Sequence, residues 1–140
     1  MLDKFFNNVI YSDKFDEFSF FGLLEEHCIW NDKEYFKFEK IMLKIMQKYH
    51  EKELPNDISK AVTFLSLVVL NWGYDEIKID ENNLYFYQSR HKTYNPSIND
   101  RFYRLQMLLL SFANDDFSFF KREYYYRPKT KYRINLEKYF

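Results

Sequence analysis

Two glycines and three prolines among 140 residues leave this chain few places to reverse direction. A sandwich or barrel of many short strands needs a turn every several residues, so that class is excluded. The chain has to cover its length in long elements. Its apolar residues recur at the three-and-four spacing of amphipathic helices. The expectation is a mainly α fold: one compact domain over residues 1–140, with four or five helices, a small β-hairpin and an irregular basic tail from Arg127. A chain of this size is long enough to bury a respectable core.

Within "DEFSFFGLLEEHC", Phe20, Leu23, Leu24 and Cys28 follow helical spacing and leave Glu25 and Glu26 outside. Cys28 reads as a small core residue on that face. In "WNDKEY" a second helix starts: Asn31 is placed to cap it, with Glu34 three residues on as the reciprocal partner. Trp30 before the cap and Tyr35 after it are spaced as a hydrophobic staple. Phe38, Ile41, Met42, Ile45, Met46 and Tyr49 then line one face to about His50, with Lys37, Lys40, Lys44 and Lys48 off it.

"LPNDISKAVTFLSLVVLNWGY" opens on Pro55 with a cap expected at Asn56 or Asp57, and Gly73 suits its end. Apolar almost all round, it is expected to be the central, most buried helix. "EIKIDENNLYFYQ" alternates around Ile77 and Ile79, turns at "DENN" and resumes at Leu84 to Tyr87, which predicts the hairpin. A last long helix opens at Pro96 with Ser97 or Asn99 and carries Phe102, Leu105, Leu108, Leu109 and Phe112 on one face. Asp115 and Asp116 are placed to begin one more short helix, and the tail from Arg127 reads as surface chain or an edge strand.

Composition narrows the function classes. Formal net charge is zero with 30% charged residues, which argues against disorder and against general attraction to a polyanion. The single cysteine forms no internal disulfide, and the N-terminus shows no secretory signal. The most apolar run, residues 61–72, is far short of a membrane span. A cytoplasmic protein is expected, with no membrane partner.

Catalytic motifs are wanting. His27 and Cys28 are adjacent rather than on one helix face, and neither Cys-x-x-Cys nor His-Glu-x-x-His occurs. With its glycines at positions 22 and 73, the chain contains no P-loop, dinucleotide fingerprint or nucleophile elbow. Cys28 with His27, His50 or His91 makes no known local signature, and the acid pairs read as solvated edges of elements rather than as a dyad. The assignment is no catalytic residue, no metal and no cofactor. A small enzyme or toxin with an unrecognised site is the weakest alternative.

Charge is unevenly spread. Residues 121–140 carry seven Lys/Arg against two Asp/Glu, a net of +5, so the rest of the chain is −5. A basic, tyrosine-rich segment can bind nucleic acid through phosphates and stacking, which makes a nucleic-acid-binding regulator the first alternative. Pairing of that segment with the chain's own acidic body is the plainer reading. The acidic body suits a basic protein partner, with acids steering the encounter and aromatics anchoring the bound state. Glu25, Glu26, Asp75 and Glu76 are the expected steering acids. Trp30, Trp72 and Tyr74 are the expected anchors, provided their rings reach the surface.

"FSFFGLLEEHCIWNDKEYFKFEKIMLKI" followed by "ELPNDISKAVTFLSLVVL" resembles the small cytoplasmic immunity proteins of bacterial contact-dependent growth inhibition and related polymorphic toxin systems. The shared rhythm is an aromatic opening, a Trp before an acidic aromatic helix, a Leu-Pro entry and an apolar helix, over roughly residues 15–72. The resemblance implies a non-enzymatic inhibitor that binds a cognate C-terminal toxin domain, commonly a nuclease. It fixes no interface residue.

Overall fold

The computed structural model describes residues 1–72, 76–84, 87–88, 93–116, 118 and 127–128. Among the described residues five helices dominate: α1 (Leu2–Phe6), α2 (Phe20–His27), α3 (Asp32–Lys48), α4 (Asn56–Leu70) and α5 (Ile98–Asn114). Short strands join them: β1 (Ile29–Trp30), β2 (Lys78–Ile79), β3 (Tyr87–Gln88), β4 (Thr93–Tyr94) and β5 (Arg127–Pro128). The mainly α expectation holds.

The start of α3 follows the local sequence closely. Asn31 Oδ1 accepts the Glu34 N–H at 3.0 Å, satisfying one of the orphan donors of the first turn. The Trp30 and Tyr35 rings lie 5.0 Å apart, completing the staple. Glu34 does not turn back as in a full capping box; its carboxylate accepts from Lys37 Nζ at 2.9 Å. The full box forms at α5, where Ser97 Oγ accepts from Asp100 N–H and Asp100 accepts from Ser97 N–H. At α4 the N-cap is Pro55, with no side-chain cap bond, and Asn56 is already helical.

Helix α3 is the most heavily buried element, with Tyr35, Phe36, Phe38, Met42, Leu43, Ile45 and Met46 in the core. This corrects the expectation for α4. That helix buries one stripe, Ile58, Ala61, Val62, Leu65 and Val69, while Leu67 and Leu70 on its other side are 54% and 73% exposed. Apolar residues all round record what a helix can bury, and neighbouring elements decide how much of it they cover.

Two buried ion pairs bind α3 to α5. Arg101 grips Asp32 through two bonds, Nε to Oδ1 and Nη2 to Oδ2, both 2.9 Å. Asp32 Oδ1 also accepts the Trp30 indole N–H at 2.9 Å. Arg101 further donates to Asn95 Oδ1 and to the Pro96 carbonyl. Seven residues along α3, Glu39 Oε1 accepts from Arg104 Nε at 3.0 Å and from the Tyr35 hydroxyl at 3.3 Å. Asp32, Glu39 and Arg101 are fully buried and Arg104 is nearly so. Burial pushes the Glu39 carboxyl up from its ordinary value, against the opposing pull of Arg104 and Tyr35. Helical periodicity had given no reason to place these four charges inside.

The strands differ in detail from the expected hairpin. Lys78–Ile79 pairs with Ile29–Trp30, in parallel, and lies in a different sheet from Tyr87–Gln88. Between them and β3 lies a 3-10 turn at Glu81–Asn83, capped by Asp80. An antiparallel hairpin does exist, but one strand later: β3 pairs with β4, and β5 adds to the other side of β3. Arg127–Pro128 is thus an edge strand, as one reading of the tail had it. Asp115 is the left-handed C-cap of α5, and Asp116, whose Oδ1 accepts from the Ser118 N–H at 2.9 Å, precedes a further helical residue at Ser118, as the expected short helix requires. Gly73, His91 and most of the basic segment lie outside the described residues.

Gly22 has a clear physical reason. A Cβ there would stand 2.3 Å from the Asp16 carbonyl oxygen, so the loop before α2 can pack against the helix only over glycine.

Asn31→Ala is expected to cost about 1 kcal/mol for the lost cap. Arg101→Ala is expected to cost more, about 3–5 kcal/mol, because Asp32 is left charged and buried. The double change Asp32→Leu with Arg101→Met should lose far less than Arg101→Ala. Urea unfolding of the three variants against wild type checks the order.

Candidate functional site

The parallel bridge between β1 and β2 places the acidic candidates. Ile29 faces Lys78 and Trp30 faces Ile79, with the Lys78 N–H donating to the Cys28 carbonyl at 2.9 Å and the Asp80 N–H to the Trp30 carbonyl at 2.9 Å. Because the strands run the same way, the residues entering them lie at one end of the pair. Those residues are the last turn of α2, with Glu25 and Glu26, and the approach to β2, with Glu76. Two acid groups fifty residues apart in sequence are thereby brought to a common edge. The C-terminus of α2 opens there too, and its free carbonyls add partial negative charge.

Glu26 and Glu76 are exposed, and Glu25 is half-buried. Glu25 Oε2 is screened from solvent and has no hydrogen-bond partner among the described residues. Burial, and then the neighbouring Glu26 carboxylate, push the Glu25 carboxyl up from 4.5 to about 7. Both causes disfavour the ionised form, and a cation placed beside Glu25 would favour it.

The aromatic candidates separate. Trp30 does not reach the surface: it is fully buried, with its rings against Phe20, Tyr35 and Phe102 at 4.8–5.0 Å. The staple and the Asp32 hydrogen bond hold it inside, so it serves the core and not a partner. Trp72 lies just past α4, partly exposed and packed on the edge of the core. Tyr74 and Asp75 lie outside the described residues.

The opening histidine and cysteine form no centre. Cys28 is exposed rather than in the core, since it is the left-handed C-cap of α2 with φ 53° and its side chain leaves the helical face. His27 Nε2 lies 3.3 Å from Glu17 Oε2, and its ring stacks on Phe18. His50 Nδ1 sits 3.0 Å from Asp115 Oδ1, joining the ends of α3 and α5. Hydrogen bonding and charge from Asp115 hold the His50 imidazole above its usual value. Among the described residues no three His, Cys, Asp or Glu are grouped to hold a metal ion. No described helix is long and apolar enough to cross a membrane.

What sequence reasoning missed is the outer side of α4. Leu67 and Leu70 project opposite the buried stripe, and Phe64 one turn earlier meets the Tyr11 ring edge-on at 5.2 Å. The signal was present in the sequence: no charged residue occurs between Lys60 and Asp75.

Glu25 gives a pH test with a definite sign. Between pH 4.5 and about 7 the folded chain holds a proton that the unfolded chain has released. Stability therefore falls as pH rises across that window. Glu25→Gln should stabilise by on the order of 1 kcal/mol above the window, a figure reduced for partial exposure, and by nothing below it. Urea unfolding at about pH 8 and about pH 4 reads the difference. Cys28→Ala and His27→Gln should each leave partner binding unchanged in a titration against wild type.

The family model described as Immunity protein 41 matches residues 7–123. No curated protein and no solved structure matches the chain. The match covers most of the sequence, and the chain belongs to this immunity protein family.

Proposed function

We propose that this member of the immunity protein 41 family neutralises a cognate toxin domain by tight, stoichiometric binding, without chemistry of its own. Family membership over residues 7–123 is the observation that carries the reading. The same membership supports a place in a polymorphic toxin system of the contact-dependent type, in which the inhibitor meets the incoming toxin in the cytoplasm.

The toxin domain proposed is a nuclease. Enzymes that cut nucleic acids need a basic cleft to hold phosphates, and a basic surface is what an acidic edge attracts. The residues that precede the two paired strands, Glu25 and Glu26 before β1 and Glu76 before β2, lie toward the same end of the pair, which supports a shared acidic edge, and Asp75 adjoins Glu76 in sequence. Acids so placed accelerate encounter more than they strengthen the final complex. Trp72, on the same approach to β2, is the aromatic contact proposed beside them.

The partner to test is the C-terminal domain of the secreted protein encoded beside this chain's gene. Wild type should protect cells from that domain and co-purify with it at one to one. Association should slow as salt rises. Glu25→Lys with Glu26→Lys should slow association by about tenfold at low salt, with a smaller change in dissociation. A purified chain that ignores the domain but binds RNA or DNA through Arg127, Lys129 and Lys131 would replace this reading with the nucleic-acid one.

A further inference from the structure

Phe18 is 61% exposed, yet its surroundings hold it in place. Its backbone N–H donates to Asp16 Oδ1 at 2.9 Å. The next residue, Ser19, caps α2 by accepting the Gly22 N–H at 3.1 Å. Just before it, the Asp16 and Glu17 backbone is pressed onto α2 over Gly22, where a Cβ would find no room. The Phe18 ring lies nearly parallel to the His27 imidazole, at 11° with 5.9 Å between centroids. His27 Nε2 is in turn 3.3 Å from Glu17 Oε2. A single exposed phenyl ring is common on any surface. One fixed both through its backbone and by a stacked ring has already given up freedom that binding would otherwise cost.

The charges placed at this ring indicate what it takes. Glu17 reaches the imidazole on which Phe18 stacks. Glu26 adjoins His27 and follows Gly22 by four residues in α2, so it shares the helix face that the Asp16 and Glu17 backbone covers. Glu17 and Glu26 are both exposed, and their one ion pair among the described residues is that of Glu17 with His27. Lys14 lies in the same loop and Lys78 donates its N–H to the Cys28 carbonyl, but neither is paired with these acids. A π-face attracts a cation, and the guanidinium of arginine is the one that lies flat on a ring while its N–H groups reach a carboxylate. The lysine ammonium is more strongly hydrated and has no flat face to stack. An apolar side chain would use the ring but strip water from the acids without pairing them.

We propose that Phe18, with Glu17 and Glu26 beside it, is the seat for an arginine side chain of the toxin domain. This rests on the neutralisation reading above. It supplies the exposed aromatic contact that Trp30, enclosed in the core, does not. The carboxylates draw the arginine in and pair with its N–H groups, and the Phe18 ring slows its departure. His27 supports the ring without touching the partner. A glutamine at that position offers a flat amide to the same ring, so His27→Gln keeps the seat.

The test uses the full chain and the neighbour-encoded toxin domain, with association and dissociation rates measured for each variant. Phe18 lies outside the core, so changes there should leave the far-UV spectrum and thermal midpoint at wild-type values. Phe18→Ala should speed dissociation by about tenfold. Phe18→Leu, which keeps apolar area but has no π-face, should do nearly the same, and Phe18→Tyr should dissociate as wild type does. Glu17→Gln should also speed dissociation, and should cost less in the Phe18→Ala background than alone, because one arginine answers to both groups. A folded Phe18→Ala chain that dissociates like wild type would overturn the seat and leave the neutralisation reading intact. Full binding by Phe18→Leu would overturn the arginine and leave an apolar contact in its place. If wild type itself fails to bind the toxin domain, the neutralisation reading falls and the seat with it.

Discussion

One buried contact, the two-pronged grip of Arg101 on Asp32, ties the start of α3 to the start of α5. Hydrophobic burial is non-directional and would accept many arrangements of five amphipathic helices. A buried carboxylate accepts very few, because an unpaired charge in the interior costs several kcal/mol. Asp32 is in the first turn of α3 and Arg101 in the first turn of α5, so their pairing sets where these two helices begin relative to one another. The Trp30 indole on the same carboxylate ties in the corner before α3. Glu39 with Arg104 repeats the constraint further along. We take the pairs to select the register of the helices rather than to supply the bulk of stability.

Several residues first legible as local caps also act as tertiary joints. Asn31 caps α3 with its oxygen while its amide nitrogen donates to Asp80 Oδ2 at 3.1 Å. Asp80 in turn caps the 3-10 turn that follows β2. Ser19 caps α2, and buried Asn8 accepts a second N–H of that first turn from Phe21. Each orphan donor at a helix start has to be paired somewhere. Pairing it with a group from another element joins the two, and in this way the short β1–β2 bridge is held at the corner between α2 and α3.

That bridge also organises the surface. A parallel pair of two-residue strands contributes little binding energy of its own, yet it fixes direction, and direction places the acids of α2 and the approach to β2 at one edge. The raised pKa of Glu25 follows from its own surroundings, a carboxyl partly buried beside the Glu26 carboxylate.

The sequence by itself determined α2 to α5, whereas α1, which has no side-chain cap, was not legible in it. Capping at Asn31, the Trp30–Tyr35 staple, the apolar face from Phe38 to Tyr49 and the Ser97 start of α5 are all set by residues within a turn or two of one another, which is why spacing reveals them. It also carried the resemblance to immunity proteins that the family match bears out. Only the tertiary structure decided the rest. Asp32, Glu39, Arg101 and Arg104 read as surface charges until their partners arrive from about 65 residues away. Trp30 reads as an anchor until its ring is enclosed, and Cys28 as core until the left-handed cap turns it outward. Helix α4 reads as the centre until its neighbours cover one face and leave the other bare. In each case the deciding quantity is which groups lie across a non-local contact, and a one-dimensional pattern does not contain it.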